Sequence, residues 1–295
     1  MKKPVFTGSA TAMITPYTGQ GIDYDSLSRL LDIQADGGTS AVLMCATTGE
    51  AATLREEERR DILRYTVQKV GGRMKVLFGI GSNNTEAAVS MAKQAENLGA
   101  DAVLLTTPYY NKATPEGLFR HFSYVADRCA LPLIVYNVPC RTSVTCTPEL
   151  YERLAEHPRI NGIKEASGNI SLVSQTRQRC GDALTIWSGN DDQTLPMMAL
   201  GAKGVISVAS NLIPAEMADL CLSALHGDYE RARHIHEKYS LLFERLFCEV
   251  NPIPVKTALH AMGLCPDAFR LPLCPMDEKN KKLLLDTLRQ IDLLP

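Results

Sequence analysis

No stretch of this sequence approaches the roughly 18 consecutive apolar residues that a membrane-spanning helix requires. The basic start, Met1-Lys2-Lys3-Pro4, is followed by no apolar run of signal-peptide length. Neither sign of charge is in excess, the formal net charge being -2. That balance argues against a nucleic-acid or acidic-membrane partner. Nine cysteines are present, an odd number, and none belongs to a CxxC pair. A disulfide framework or a zinc site is therefore not expected, and reduced thiols in a cytoplasmic protein are the simplest reading. His234 and His236 lie two apart in a helical pattern and face different directions, so they are no metal pair, and no metal is expected. Low-complexity segments and flexible linkers are missing as well. So is the glycine-rich phosphate fingerprint that open doubly wound sheets usually carry after their first strand.

What is present is a regular alternation. An apolar, small-residue segment opens at Ser9–Ile14. Four-to-five-residue apolar strands follow at Ala41–Met44, Lys75–Gly79, Ala102–Leu105, Leu133–Tyr136, Ile160–Lys164, Leu184–Ser188 and Gly204–Val208. Between them run amphipathic helical patterns. The first has Asp25 as its expected cap, buries Leu27, Leu30, Leu31 and Gln34, and closes at Gly37-Gly38. Later ones open at Pro115, Pro148 and Pro214, where proline suits a first helical turn. Eight such units in about 220 residues predict a parallel sheet covered on both faces and closed into a (β/α)8 TIM barrel, an α/β fold. After Gly227 the strands stop. Helical patterns at Tyr229–Phe247, Pro254–Met262 and Asp277–Leu293 predict a C-terminal helical extension. The expected organisation is a catalytic barrel over 1-226 with the extension, 227-295, packed on it.

In such barrels chemistry gathers at the carboxyl ends of the strands. The second strand is followed by Thr47-Thr48-Gly49-Glu50 and the fourth by Thr106-Thr107-Pro108-Tyr109-Tyr110. The fifth ends in Tyr136-Asn137 and leads to Arg141, the sixth ends in Lys164, and the seventh leads to Ser188-Gly189. A lysine at the end of a buried strand loses hydration, its pKa falls, and its free amine can attack a ketone to form a Schiff base. Lys164 is the candidate for that amine. Each residue also has a plainer reading. Lys164 can snorkel to solvent, the threonines can cap backbone amides, the tyrosines can pack at the rim, and Arg141 can be a surface cation. Asp191 reads as a helix N-cap, and Glu56-Glu57-Glu58 as the solvated face of a helix.

Several motifs in fixed order now come together. Thr47-Thr48-Gly49-Glu50, Thr107-Pro108-Tyr109-Tyr110, Tyr136-Asn137-Val138-Pro139, Arg141-Thr142, Ile163-Lys164-Glu165-Ala166, Ser188-Gly189 and Asn251-Pro252-Ile253-Pro254-Val255-Lys256 span nearly the whole chain. With them the chain resembles the dihydrodipicolinate synthase and N-acetylneuraminate lyase family of class I aldolases. The resemblance implies that pyruvate condenses with aspartate 4-semialdehyde, on the route to lysine, through a covalent imine and without a cofactor. Carried over, Lys164 forms the imine, and Tyr136 transfers protons. Thr47 relays them between Tyr136 and Tyr110, and Tyr110 comes from a neighbouring subunit. Thr48 and nearby amides hold the pyruvate carboxylate, Arg141 holds that of the aldehyde, and Gly189 and Ile206 are further substrate-binding positions. A homo-oligomer, at least a dimer and by resemblance a tetramer, is implied. The alternatives are an aldolase for another aldehyde, such as a sialic-acid or keto-deoxy-sugar lyase, and a non-catalytic barrel that binds a keto acid.

The sequence departs from the family pattern in places. Ala46 stands where glycine is common before the threonine pair, and the position is expected not to need a positive φ. Glu56 and Ala87 stand where lysine-inhibited members usually carry histidine and glutamate, although Asn83 and Tyr109 remain. Weak or absent feedback inhibition by lysine is the expectation that follows.

Overall fold

The computed structural model describes residues 2–295; Met1, where the basic start begins, lies outside them. Eight strands close into one parallel barrel: β1 (Gly8–Ala12), β4 (Ala41–Met44), β5 (Lys75–Gly79), β6 (Ala102–Thr106), β7 (Leu133–Asn137), β8 (Ile160–Glu165), β9 (Thr185–Ser188) and β10 (Gly204–Ser207). β1 pairs with both β4 and β10, which closes the ring. Two very short strands that the periodicity does not predict, β2 (Tyr17–Thr18) and β3 (Gly21–Ile22), form a hairpin between β1 and the first helix.

The helices between the strands are α1 (Tyr24–Asp36), α2 (Glu56–Val70), α3 (Thr85–Asn97), α4 (Pro115–Asp127), the single turn α5 (Pro139–Thr142), α6 (Pro148–Ala155), α7 (Ile170–Cys180), α8 (Thr194–Ala199) and α9 (Pro214–Leu225). α10 (Tyr229–Arg245), α11 (Ile253–Ala261) and α12 (Glu278–Gln290) follow the last barrel helix. Among the described residues no helix is long and apolar enough to cross a membrane.

Alternation along each strand sorts the side chains into two layers. Ala10, Leu43, Leu104, Ile134, Trp187 and Ile206 pack inside the barrel. Val42, Val103, Val135 and Ile163 face outward into the larger core shared with the helices. Bulk inside the barrel has to be balanced by small residues, and Gly162 shows why. A Cβ there would meet the Thr185 carbonyl oxygen at 2.3 Å and the Trp187 ring at 2.6 Å. Trp187 lies against Phe6, ring centroids 4.8 Å apart, and its indole N–H donates to the Phe6 carbonyl. At the foot of β8 the Lys2 ammonium donates to the carbonyls of Ala155 and Ile160.

Two sequence expectations are corrected at the helix ends. The cap of α1 is Asp23, whose carboxylate accepts from the Ser26 amide at 3.0 Å; Asp25 falls inside the first turn. Glu58 is not on a solvated face. It is buried and takes both guanidinium N–H groups of Arg270, at 2.6 and 2.7 Å. The stretch from residue 56 to 58 carries three acids, and only tertiary packing decides which one turns inward.

Candidate active site

Register sets the site. Lys164 on β8 sits opposite Tyr136 on β7, and Thr106 on β6 opposite Tyr136 on its other side. These residues therefore share the inner layer at the carboxyl mouth of the barrel. The Lys164 ammonium nitrogen is 4.5 Å from the centroid of the Tyr136 ring. Only 4% of Lys164 is exposed. Burial pulls its pKa down from 10.5 to about 7; the Asp191 carboxylate opposes that fall, and the Arg141 guanidinium adds to it. A usable share of free amine near neutral pH follows directly. Burial also pushes the Tyr136 phenol up to about 12, against the pull of Arg141 and the neighbouring Thr47 hydroxyl. The phenol thus keeps its proton until a base takes it.

The next residues outward make the end of β8 rigid. Asn137 and Glu165 lie side by side and face away from the barrel interior. The Glu165 carboxylate accepts from the Asn137 amide group, from the Tyr151 hydroxyl at 2.8 Å and from the Ser167 N–H at 2.8 Å. Gly189 is needed for close approach: a Cβ would stand 2.6 Å from that of Ala166 and 3.1 Å from Lys164 Cε. Ile206 is part of the barrel's inner core, in one cluster with Tyr136 and Trp187.

A groove of about 630 Å³ opens beside this cluster. Thr47, Tyr136, Val138 and Arg141 line it, as do Glu56, Ala87 and Gln94. Arg141 rides on the single turn α5, and its Nη2 donates to the Asn251 carbonyl at 3.1 Å. Thr48 is buried, and its hydroxyl oxygen accepts from the Asn251 side-chain amide at 3.0 Å. That hydroxyl keeps its own proton to give. The backbone amides of Thr47 and Thr48 meet no acceptor among the described residues. Ala46 does not carry a positive φ, as expected; Cys45, one residue earlier, does, at 52°.

Tyr110 is not brought to the cluster within this chain. It is 93% exposed, at a φ of 68°. Asp191, read from sequence as an ordinary helix N-cap, is corrected. It is buried, Asn190 precedes its short helical turn, and its Oδ2 accepts from the amides of Val208 and Ala209 after β10. It is also the carboxylate that acts on Lys164. A lone aspartate just past a strand end looks the same in sequence whether it caps its own helix or the next strand's turn. Asn251 and Lys256 were visible only as part of a motif, without roles. Among the described residues no three His, Cys, Asp or Glu side chains converge as metal ligands would.

Residues 5–291 match the model of the dihydrodipicolinate synthetase family. A 4-hydroxy-tetrahydrodipicolinate synthase of Thermodesulfovibrio yellowstonii is 48% identical, over 98% of this chain and 100% of that protein. The crystal structure of dihydrodipicolinate synthase from Aquifex aeolicus superposes with a TM-score of 0.95 at 44% identity, over 98% of this chain and 99% of that one. A structure described as the first monomeric dihydrodipicolinate synthase variant superposes with a TM-score of 0.96 at 41% identity, over 98% of both chains. At these TM-scores and coverages the barrel and its helical extension are a shared fold. The chain belongs to the dihydrodipicolinate synthetase family.

Proposed function

We propose that the chain is an enzyme that condenses pyruvate with L-aspartate 4-semialdehyde to give 4-hydroxy-tetrahydrodipicolinate. The observation that carries this reading is a buried amine, that of Lys164, beside the Tyr136 phenol at the mouth of a closed barrel. The amine attacks the pyruvate ketone carbon and water leaves, giving an imine. The imine withdraws electrons, so the methyl group loses a proton and becomes an enamine carbon nucleophile. That carbon attacks the aldehyde. The amino group of the second substrate then attacks the imine carbon, closes the ring and releases Lys164. The imine is itself the electron sink, so the scheme calls for no added cofactor.

The other residues take their roles from chemistry and position. Tyr136 shuttles protons, with Thr47 beside it. The unpartnered amides of Thr47 and Thr48 suit the keto-acid carboxylate. Gly189 and Ile206 shape the wall against which the bound keto acid lies. Arg141 on the groove wall suits the carboxylate of the aldehyde, gripped at two points. A sugar-acid aldolase would need hydroxyl-matching groups there, so Arg141 favours the short carboxylated aldehyde. Tyr110 completes the relay from a neighbouring copy in a homodimer or tetramer. An exposed tyrosine held in a conformation rare for non-glycine residues supports that role.

The test is borohydride reduction with pyruvate, followed by peptide mass spectrometry. The expected result is a pyruvyl adduct on Lys164 that needs both reagents. An unmodified Lys164 in folded protein overturns the reading and leaves a keto-acid binder at most.

A further inference from the structure

Beyond the reacting groups, one charged pair among the described residues is wholly withdrawn from water. The Lys256 ammonium stands 2.6 Å from the Glu50 carboxylate, with the two side chains 0% and 1% exposed. The ammonium lies over the Tyr17 ring at 4.3 Å and the Phe269 ring at 4.9 Å, so aromatic faces surround it. The Arg270 guanidinium covers the Tyr17 ring at 4.4 Å, grips Glu58 and donates to the Thr53 carbonyl. A buried ion pair is a poor source of stability, because desolvating two charges offsets most of their attraction. Its use lies in geometry, and here the geometry is next to the site.

Glu50 ends the Thr47-Thr48-Gly49-Glu50 turn and has a φ of 53°, a region that non-glycine residues seldom occupy. The turn carries the two unpartnered amides. Lys256 projects from α11, and Asn251, just before that helix, meets both Thr48 and Arg141. One short segment outside the barrel thus touches both groups that would hold substrate carboxylates. We infer that Lys256, acting through Glu50, is a positioning residue that fixes the Thr47–Glu50 turn so that its amides receive the keto-acid carboxylate. This rests on the function proposed above. Lys256 touches no substrate and moves no proton; its effect is on binding.

The test is the double variant Glu50→Gln with Lys256→Met, which removes both charges and leaves neither buried alone. The expected result is thermal unfolding within a few degrees of the parent, a KM for pyruvate raised about tenfold, and a kcat changed less than about threefold, the pattern of lost ground-state binding. A folded double variant with the parent's KM overturns the inference. If the double variant does not fold, Arg270→Met with Glu58→Gln decides. That change removes both charges of the second pair together, so neither is left buried alone, and it releases the Thr53 carbonyl, three residues past Glu50. A KM raised about threefold is expected there, and an unchanged KM overturns the inference. The parent is assayed for the reducible adduct in parallel. An adduct with unchanged variant KM sinks the positioning role alone, whereas no adduct sinks the function on which it rests.

Discussion

Lys164 is asked to be buried, which destabilises the fold, and to be reactive, which requires the burial. Its pKa in the folded protein is about 7, below the ordinary 10.5. Between those values the unfolded chain binds a proton that the folded one does not, so stability rises with pH across that window. The cost of burying the charge is complete below pH 7 and is relieved toward pH 10. Lys164→Met is therefore expected to raise the melting temperature, with a larger gain at pH 7 than at pH 10. The same variant is expected to lose activity by at least about 10³-fold. Thermal scans at the two pH values and a turnover assay check this together. Asp191 holds the Lys164 pKa up against burial, so its removal acts the other way. Asp191→Asn keeps an oxygen for the Val208 and Ala209 amides and loses the charge. The acidic limb of kcat/KM for pyruvate should then move to lower pH. A limb that stays in place, or moves up, contradicts that role. Inhibition by lysine is another property of single residues. Glu56 already accepts from the Gln94 side-chain amide, and Ala87 offers no carboxylate. Lysine titrated into a pyruvate assay is expected to inhibit weakly; strong inhibition at sub-millimolar concentration contradicts this.

Among the elements, β8 shows how a strand end is made stiff enough to aim a side chain. Glu165 gathers Asn137, Tyr151 and Ser167 on the outer side while Lys164 points inward. Glu165→Ala leaves those donors buried without an acceptor and should cost about 3–5 kcal/mol, because each unmet donor costs on the order of 1–3 kcal/mol. Denaturant unfolding measures the loss, and Glu165→Gln should recover much of it. The strands were legible because short apolar runs between proline-led helices leave few alternatives. Lys75–Gly79 agrees at both ends with the expectation, and the buried face of α1 is the one its spacing predicts. Less was legible where a choice depends on a distant element. Asp23 and Asp25 are both good caps, and two residues decide which way the chain enters the helix. Glu58 turns inward only because Arg270, far along the chain, is there to meet it. The single turn α5 is too short to leave a periodic trace, yet it carries Arg141. Of the proposed site, Lys164, Tyr136, Thr47, Arg141 and Gly189 are candidates that strand ends and motifs already offer. Asp191, Asn251 and Lys256 could not be given roles, since their partners are set by the closed ring and by α11.

At the scale of the whole molecule, the proposed relay through Tyr110 would tie activity to assembly. If each site takes Lys164 from one chain and Tyr110 from another, two inactive variants can repair each other. Lys164→Ala and Tyr110→Phe, unfolded and refolded together in equal amounts, should recover about a quarter of the parent activity, because half the dimers are mixed and each mixed dimer has one intact site. A mixture no more active than its components contradicts a shared site. The barrel also contains its own optical probe. Trp187 is the sole tryptophan, stacked on Phe6 inside the ring, and sits beside Lys164 in the strand register. Fluorescence excited at the indole band therefore comes from one address in the molecule. Binding of a keto acid at Lys164, on the adjoining strand, is expected to change that emission, in unlabelled protein and in real time.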